Sequence, residues 1–531
     1  MRRFGPPAIA GLLAVVAGAA VAELVAAVLG RPQAGTVVAV GAVVIDATPT
    51  PVKEFAVATL GTADKPVLLG SIALVLAVLA AALGVLARRD LRAGVAGAVV
   101  LGLVGTAAAL TRPAADLVDA LPSLVGMLVI VGALVVLVRP LRAAAVPAVA
   151  AVSPAGYEPA SLGPPEPPPL APGRGAAPGA GATVDRRAFV TAAALVAAAA
   201  AGAAGGAVAL GRSTDGARER QALRLPAPAD PAPPLPDGVA PGFVTPNADF
   251  YRVDTALTVP RVDLASWRLK LGGSVDRPVE LTFAELLDRP LVERVITLNC
   301  VSNEVGGPYI GTSRWLGVPL VPLLREAGIQ AGADQLLARS VDGMTIGTPV
   351  AALLDGREPL LCVGMNGEPL PPEHGFPVRM LTPGLYGYVG ACKWLTELEL
   401  TTFAAVDAYW VERGWAADAP VKTASRIDVP LPFAQLATGP VTVAGVAWAQ
   451  GRGIRAVEVR VDDGPWEAAT LLPVPSVNTW VQWRYAWAAT PGSHTVTVRA
   501  TDDTGAVQPE ERVTPFPDGA TGWHNTTVTV G

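Results

Sequence analysis

Thiols and imidazoles are scarce in this chain. Among its 531 residues there are three cysteines and three histidines, and all six lie in the second half. They are Cys300, Cys362, Cys392, His374, His494 and His524. So few sulfur and nitrogen ligands exclude a disulfide framework and leave a structural zinc site without enough partners. The first half has only two methionines and no histidine, so a bis-histidine or histidine–methionine haem cannot be built there.

A strong charge imbalance is also missing. Charged residues make up 16% of the chain and the net charge is −5, which gives no basic footprint for nucleic acid. Apolar residues make up 51%, too much for an ordinary soluble protein. The length predicts two or more domains, and the composition predicts that a membrane region is joined to a soluble region.

Long apolar runs fill residues 1–142. Each is close to the ~20 residues that cross a hydrocarbon core. The runs are Ala8–Leu29, Pro66–Ala87, Ala93–Leu110 and Leu121–Val138. Arginines before the first run, between the second and third, and after the fourth predict four crossings that begin and end in the cytoplasm.

Two features complicate this bundle. The stretch 35–61 is interrupted by Asp46, Pro49 and Lys53, which predicts an outer-face loop with a re-entrant or interfacial helix. Glu23 lies inside the first run, where a carboxylate indicates either a proton or quinone site or a side chain that reaches the interface. Its depth near the outer end favours the interface. We expect the helices to act as an anchor rather than as a quinone-reactive module.

Two Pro- and Ala-rich stretches, 143–185 and 213–241, are predicted linkers, the first cytoplasmic. Between them Arg186 and Arg187 precede an apolar run to about Leu210. Paired arginines before a weakly apolar helix are typical of a twin-arginine export signal, which carries folded domains; ordinary positive-inside flanks are the alternative. Both predict a fifth helix, 186–212, that places the rest of the chain outside the cytoplasmic membrane.

The secondary structure that the sequence predicts changes twice in the soluble half. Residues 242–408 mix short strands and helices, including a capping-box start at Thr282-x-x-Glu285 and a short helix over Val321–Ala327, which predicts an α+β domain. Residues 409–531 alternate apolar and polar side chains, as in Val457–Val461, with Asp463-Gly464 at a hairpin turn. Short strands without helices predict a β-sandwich of immunoglobulin type.

Cys300 is the residue with the richest chemistry. It ends the β-branched run Val295–Leu298 and enters the polar turn Ser302–Glu304. A free cysteine is most often a core thiol, but these polar neighbours argue against an apolar core. A nucleophile activated by His374, or a soft metal ligand, remain. A metal held mainly by an organic chelator would need only this one protein sulfur.

Cationic and planar groups follow within a short span. His374, Arg379 and Lys393 are interleaved with glycines that allow close backbone approach. Their neighbours include Phe376-Pro377-Val378 and Trp394-Leu395, so a pocket is a better interpretation than a solvated strand face. Such groups suit a ligand with a phosphate and a hydrogen-bonding edge.

Three stretches together, Thr297–Glu304, Glu373–Arg379 and Gly390–Leu395, resemble the molybdopterin domain of the sulfite oxidase family. The resemblance covers about 242–531 and includes the histidine-glycine-phenylalanine-proline-x-arginine and lysine-tryptophan patterns. It implies molybdopterin, with molybdenum on Cys300, and a following sandwich that often carries dimer contacts. The implied cofactor-binding residues are Asn247, Tyr251, Arg252, Cys300, Ser340, His374, Arg379, Gly390, Ala391 and Lys393.

The chain also departs from the family. Vertebrate sulfite oxidases carry arginines just after the cysteine region, whereas here Asn303 is followed by Glu304, which would repel a sulfite dianion. Arg314, expected to be catalytic with Cys300, or Arg413 would supply a cation instead. The periplasmic methionine-sulfoxide reductases of the family have asparagine where this chain has His374.

The sequence thus predicts a membrane-anchored molybdopterin oxidoreductase that transfers an oxo group to or from a small sulfur or nitrogen oxo compound, sulfite-like or sulfoxide-like. A catalytically inactive binding or sensing protein on the same scaffold is the alternative. With no haem expected, electrons would pass to a separate partner or a quinone. The C-terminal sandwich would support a homodimer.

Overall fold

The computed structural model describes residues 5–49, 52, 59, 64–112, 115–143, 186–213 and 216–531. The chain divides into two compact units, Met1–Ser213 and Thr214–Gly531. The predicted linker 143–185 lies outside the described residues except for its first position, as does much of the second half of the stretch 35–61.

Helices build the first unit. They are α1 (Gly5–Val28), α2 (Thr36–Ala47), α3 (Asp64–Arg89), α4 (Leu91–Leu110), α5 (Leu121–Ala143) and α6 (Arg186–Ser213). Within the described residues, five helical segments are long and apolar enough to cross a membrane, and they coincide with the five runs predicted as spans. The twelve residues of α2 extend only ~18 Å, less than the ~30 Å of a hydrocarbon core. That the long helices cross a membrane, and in which direction, stays a prediction.

The carboxylate of Glu23 is engaged inside the first unit. It lies against Gly35 and accepts a hydrogen bond from the backbone N–H of Val37, at the start of α2. The partial positive charge of a helix N-terminus stabilises a carboxylate there. The structure therefore gives Glu23 a helix-capping contact, and its position at the membrane interface stays a prediction.

The second unit begins with short helices and two sheets. Its helices are α7 (Gly216–Ala222), α8 (Phe283–Leu287), α9 (Leu320–Ala327), α10 (Val350–Leu354) and α11 (Gly387–Gly390). The first ten strands are β1 (Arg268–Gly273), β2 (Val279–Thr282), β3 (Val292–Asn299), β4 (Ile310–Pro319), β5 (Gln335–Ser340), β6 (Thr345–Pro349), β7 (Leu360–Met365), β8 (Glu368–Pro369), β9 (Arg379–Leu381) and β10 (Leu395–Thr401).

These strands form an α+β part, as the sequence predicts. One sheet has the order β2-β1-β10-β5-β6, and the other has the order β3-β4-β7-β8, with β9 paired to β7. The capping box that starts α8 is present, because the hydroxyl of Thr282 accepts from the Glu285 N–H and the Glu285 carboxylate accepts from the Thr282 N–H.

The last part of the chain contains strands only. They are β11 (Ala424–Val429), β12 (Gln435–Leu436), β13 (Gly439–Trp448), β14 (Ile454–Val461), β15 (Glu467–Ala468), β16 (Thr470–Leu471), β17 (Val481–Ala489), β18 (Gly492–Asp502) and β19 (His524–Val530). Two sheets, β11-β13-β17-β16 and β12-β19-β18-β14-β15, bury a shared core. Val457 and Val459 face that core, and β14 and β15 form the hairpin around Asp463-Gly464. The immunoglobulin type of this sandwich stays a prediction.

The α+β part and the sandwich share apolar contacts. One core cluster contains Val295 and Tyr386 from the first and Val446 and Trp480 from the second. The predicted boundary at 408/409 falls between β10 and β11, in a stretch whose Trp415 joins the same cluster.

The stretch 213–241, predicted as a linker, is packed rather than free where the structure describes it. Leu223 and Leu225 lie against the α+β core, and the Ala229 N–H donates to the Leu291 carbonyl at 2.7 Å. Its prolines keep it out of the sheets, yet Leu223 and Leu225 are partly buried and Ala232 is buried. The linker interpretation is therefore wrong for this part of the chain.

Candidate functional site

Cys300 is the first residue after β3. Alternation along the strand directs Ile296 and Leu298 into a cluster with Phe250 and Trp315, and Cys300 continues the same parity. Cys300 is partly exposed, whereas Cys362 and Cys392 are buried. The strand thus brings one partly exposed cysteine to the edge of an aromatic cluster.

The Cys300 thiol has a mixed environment. Its Sγ lies 2.9 Å from the Ser302 Oγ. Burial raises the pKa of the Cys300 thiol, while the Ser302 hydrogen bonds and the charge of Lys393 pull it down in part. A nearby cation or metal is what would convert such a thiol into a thiolate at neutral pH.

His374 closes a short turn that follows Pro371-Pro372. Gly375, with φ of 109°, lets the chain reverse there, since that backbone conformation is strained for other residues. The His374 Nε2 lies 3.0 Å from the Asn247 carbonyl oxygen. Burial lowers the pKa of His374 to about 4, so the ring is neutral at pH 7 and its Nε2–H donates to that carbonyl.

Arg379 is a buried cation at the start of β9. It is 4% exposed, its Nη1 donates to the His374 carbonyl at 3.2 Å, and its guanidinium lies 5.1 Å from the Trp315 ring centroid. Its Nε has no hydrogen-bond partner among the residues that the structure describes. Burial lowers the pKa of Arg379. A buried guanidinium with an unused N–H donor indicates that a ligand accepts this hydrogen bond.

Lys393 and Arg252 meet at one carboxylate. The Lys393 Nζ donates to Asp254 at 2.6 Å, and the Arg252 Nε donates to it at 2.9 Å. Asp254 is nearly fully buried, and Lys393 also lies over the Trp394 ring. Burial lowers the pKa of Lys393 to about 8, against the opposing effect of Asp254. Asp254 was missed from the sequence, although its place two residues after Arg252 was a usable signal.

Tyr251 joins these groups. Its ring stacks on Phe250 with centroids 5.2 Å apart. Burial, with the charge of Cys300 added, raises the pKa of Tyr251 well above its ordinary value, and the charge of Arg379 lowers it in part. Electrostatic coupling among Tyr251, Cys300, Arg379 and Lys393 shows that the structure brings these predicted residues into one neighbourhood.

Four other predicted residues have their groups engaged differently. The Asn247 side chain donates to Glu368 Oε1 at 2.5 Å and accepts from Asn366 at 2.9 Å, so it braces the pocket wall. The Gly390 carbonyl accepts from the Thr382 N–H and its own N–H donates to Tyr386, while the Ala391 N–H donates to Gly387. These backbone N–H groups are therefore used inside the fold. Ser340 is buried, and its Oγ lacks a partner among the described residues.

Arg314 lies on the opposite face of β4 from the pocket. Its neighbour Trp315 contacts Arg379, and strand alternation turns Arg314 away. Its Nη1 pairs with Glu293 at 3.2 Å on that other face. The expected catalytic role of Arg314 is thus wrong in this arrangement. Arg413 is also held locally, donating to the Tyr409 carbonyl at 2.7 Å.

Helix α7 (Gly216–Ala222) forms a short strap that contacts residues 368–370 beside the pocket. Arg220, on α7, donates to the carbonyls of Pro369 and Leu370 at 2.7 and 2.8 Å and pairs with Glu368 at 2.9 Å. Glu368 in turn accepts from Asn247, whose carbonyl faces His374. A chain of contacts therefore runs from α7 to the histidine of the pocket.

These residues fit a molybdopterin group. The described residues contain no cluster of three or more His, Cys, Asp or Glu side chains that could hold a metal ion. A metal on Cys300 therefore needs ligands from an organic chelator. The unused Nε of Arg379 and the unused Oγ of Ser340 are a donor and a hydroxyl that such a polar, anionic group can pair with.

Comparison with known proteins shows similarity to molybdopterin-binding proteins. Residues 256–410 match the oxidoreductase molybdopterin binding domain family. Sulfite oxidase of Gallus gallus is 29% identical over 328 residues, which cover 52% of this chain and 71% of that protein. Mitochondrial sulfite oxidase of Mus musculus is 30% identical over 45% of this chain and 51% of its own length. Inducible nitrate reductase [NADH] 2 of Glycine max is 30% identical over 54% of this chain and 39% of its own length.

The matched segment thus spans from about two fifths to about seven tenths of these curated relatives. Among solved structures, the sulfane dehydrogenase SoxCD from Paracoccus pantotrophus aligns over 55% of this chain and 85% of its own. The sequence identity is 22% and the TM-score is 0.49.

Proposed function

We propose, from the premise that this chain is a molybdopterin-binding oxidoreductase of the sulfite oxidase family, that it is anchored in a membrane and catalyses a two-electron oxo transfer. Its homologues are molybdenum-dependent oxidoreductases. The observation that carries the proposal is Cys300, the one cysteine that is not buried, coupled electrostatically to Lys393 beside the buried Arg379.

Each residue of the pocket has a distinct task in this proposal. Cys300 would supply the one protein thiolate to molybdenum. Bound molybdopterin supplies the two-electron oxo-transfer chemistry. Arg379 and Lys393 would hold its anionic and hydrogen-bonding groups, since a guanidinium is suited to bidentate contact with such groups. Neutral His374 keeps its Nε2–H on the Asn247 carbonyl and so fixes the turn that carries Gly375.

The charge of the pocket supports a small anionic or strongly polar substrate. Three cations lie in one neighbourhood: Arg252, Arg379 and Lys393. Asp254 pairs with Arg252 and Lys393 but not with Arg379. Excess positive charge raises the local concentration of anions. We assign the substrate class as small sulfur or nitrogen oxo compounds, sulfite-like or sulfoxide-like.

The setting of the enzyme follows from the first unit. Five helices of membrane-spanning length support an anchor, and the arginine pattern supports an extracytoplasmic catalytic domain delivered through the twin-arginine route. Electrons would pass to a separate partner protein or to a quinone.

Metal analysis and one substitution test the proposal. Purified protein should contain about one molybdenum per chain and oxidise sulfite or reduce sulfoxides or N-oxides with an artificial electron acceptor or donor. Cys300→Ser should abolish turnover while most of the pterin stays bound, because Arg379 and Lys393 still hold it. Cys362→Ala, which removes a buried thiol, is the matched control and should keep its activity. A molybdenum content near zero would refute the proposed enzyme, and full activity in Cys300→Ser would refute the thiolate assignment.

A further inference from the structure

The loop that follows Cys300 is held from outside its own domain. Residues 303–308 form its tip, and two arginines of the sandwich part reach it. The Arg426 Nη1 donates to the Gly307 carbonyl at 2.8 Å, and the Arg512 Nη2 donates to the Val305 carbonyl at 3.3 Å. Arg426 is oriented by a second contact, from its Nε to Asp428 at 2.6 Å.

His524 seats the middle of the same loop. Gly306 has φ of +79°, and a Cβ built on it would overlap the imidazole of His524, so the ring packs directly against the loop backbone. The His524 Nδ1 accepts the Ile427 N–H at 2.9 Å, which fixes the ring plane. Burial and the charges of Arg426 and Arg512 lower the pKa of His524 to about 4, so the ring is neutral and able to accept at pH 7.

The base of the loop is held by its own backbone. The Cys300 N–H donates to the Tyr309 carbonyl at 3.0 Å, and the Asn303 N–H donates to the Cys300 carbonyl at 3.1 Å. The Asn303 Oδ1 accepts the Tyr309 N–H at 2.8 Å. The base thus joins the Cys300 backbone to Asn303 and Tyr309, at the two ends of the tip.

We propose that Arg426 and His524 are positioning residues that fix the Cys300 sulfur from the sandwich part of the chain. The sandwich then completes the metal-ligand geometry of the other domain. This inference rests on the proposed function for its catalytic meaning, but its physical content is the position of a thiol. That position can be measured without the cofactor.

The test is the alkylation rate of Cys300 in the cofactor-free, full-length protein in detergent, followed by mass spectrometry with iodoacetamide as the probe. We expect Arg426→Ala and His524→Ala to raise the rate about tenfold, because a released tip exposes the sulfur. Arg455→Ala is the matched control: its guanidinium donates to the Asp503 carbonyl within the sandwich, and its loss should leave the rate unchanged. The buried Cys362 and Cys392 serve as internal unreactive references.

A milder variant guards against misfolding. Arg426→Lys keeps the charge but places all its N–H donors on one atom, so it cannot reproduce the fork in which Nε bonds Asp428 and Nη1 bonds the Gly307 carbonyl, and it should change the rate in the same direction. In loaded protein, these variants should retain molybdenum while altering its Mo(V) paramagnetic resonance signal. Unchanged alkylation in both Arg426→Lys and His524→Ala would overturn the inference and leave the proposed function standing. A protein without molybdenum that still shows the rate increase would overturn only the function.

Discussion

Replacement of Arg379 by methionine should stabilise the cofactor-free protein and at the same time remove its cofactor. Arg379 is 4% exposed and has no ion-pair partner among the described residues; its contacts are one carbonyl and the Trp315 face. Burial of a cation costs several kcal/mol. A hydrogen bond from a charged group returns ~2 kcal/mol, and stacking on an indole returns ~1 kcal/mol. Methionine fills similar volume without the charge.

We therefore expect Arg379→Met to raise the free energy of unfolding of the cofactor-free protein by ~2 kcal/mol, or roughly 4 °C in melting temperature. All eleven tryptophans lie between residues 267 and 523, so tryptophan fluorescence on heating reports the second unit alone. In protein made with cofactor synthesis intact, the same substitution should reduce the molybdenum-to-protein ratio at least tenfold.

Arg289→Met is the matched control, since Arg289 is 25% exposed and pairs with Glu326 at 2.7 Å on the surface. Such pairs contribute ~0–1 kcal/mol, and neither measurement should change much. If Arg379→Met melted lower than the parent chain and kept its molybdenum, Arg379 would be a structural residue and the pocket assignment would be wrong.

Two further predictions concern ionisation. The pKa of His374 is about 4 in the folded chain, below its ordinary 6.5. Below pH 6.5 the unfolded chain therefore binds a proton that the folded chain does not, and the free energy of unfolding falls by up to ~3 kcal/mol between pH 6.5 and pH 4. His374→Gln should therefore flatten the fall in melting temperature over that window, and an unchanged pH profile would contradict this. Asp254→Asn leaves Arg252 and Lys393 facing each other and should cost ~3 kcal/mol without cofactor. It should cost clearly less in loaded protein, and equal melting losses in both states would refute the argument.

The sequence predicts part of the geometry of the candidate site. A β-branched run ending in Cys300 predicts a strand that presents a thiol, and β3 ends at Asn299. His374, Arg379 and Lys393 are close in sequence, so short turns were enough to bring them together. Their apolar neighbours correctly indicated burial.

What failed depended on long-range pairing. Arg314 is a cation that the sequence alone allows near Cys300, but the register of β3 with β4 decides its face, and Val295 opposite it faces the sandwich. Alternation along one strand shows that Arg314 and Trp315 point apart, not which of them points to the pocket. The packing of 223–232 cannot be predicted from the sequence for a similar reason. A proline-rich composition predicts that a segment does not pair in a sheet, but it does not predict which single side chains are buried.

The strap on α7 decides where this protein can be cut. A soluble fragment begun at residue 242, the start of the α+β domain as the sequence predicts it, would lack Arg220 and Leu223 and leave the carbonyls of Pro369 and Leu370 without their guanidinium. A fragment begun at Gly216 keeps that fork and omits every membrane-length helix among the described residues. The seven residues of α7 lie in a stretch that the sequence predicts as a linker. A truncated protein should nevertheless keep them, because they belong to the catalytic domain.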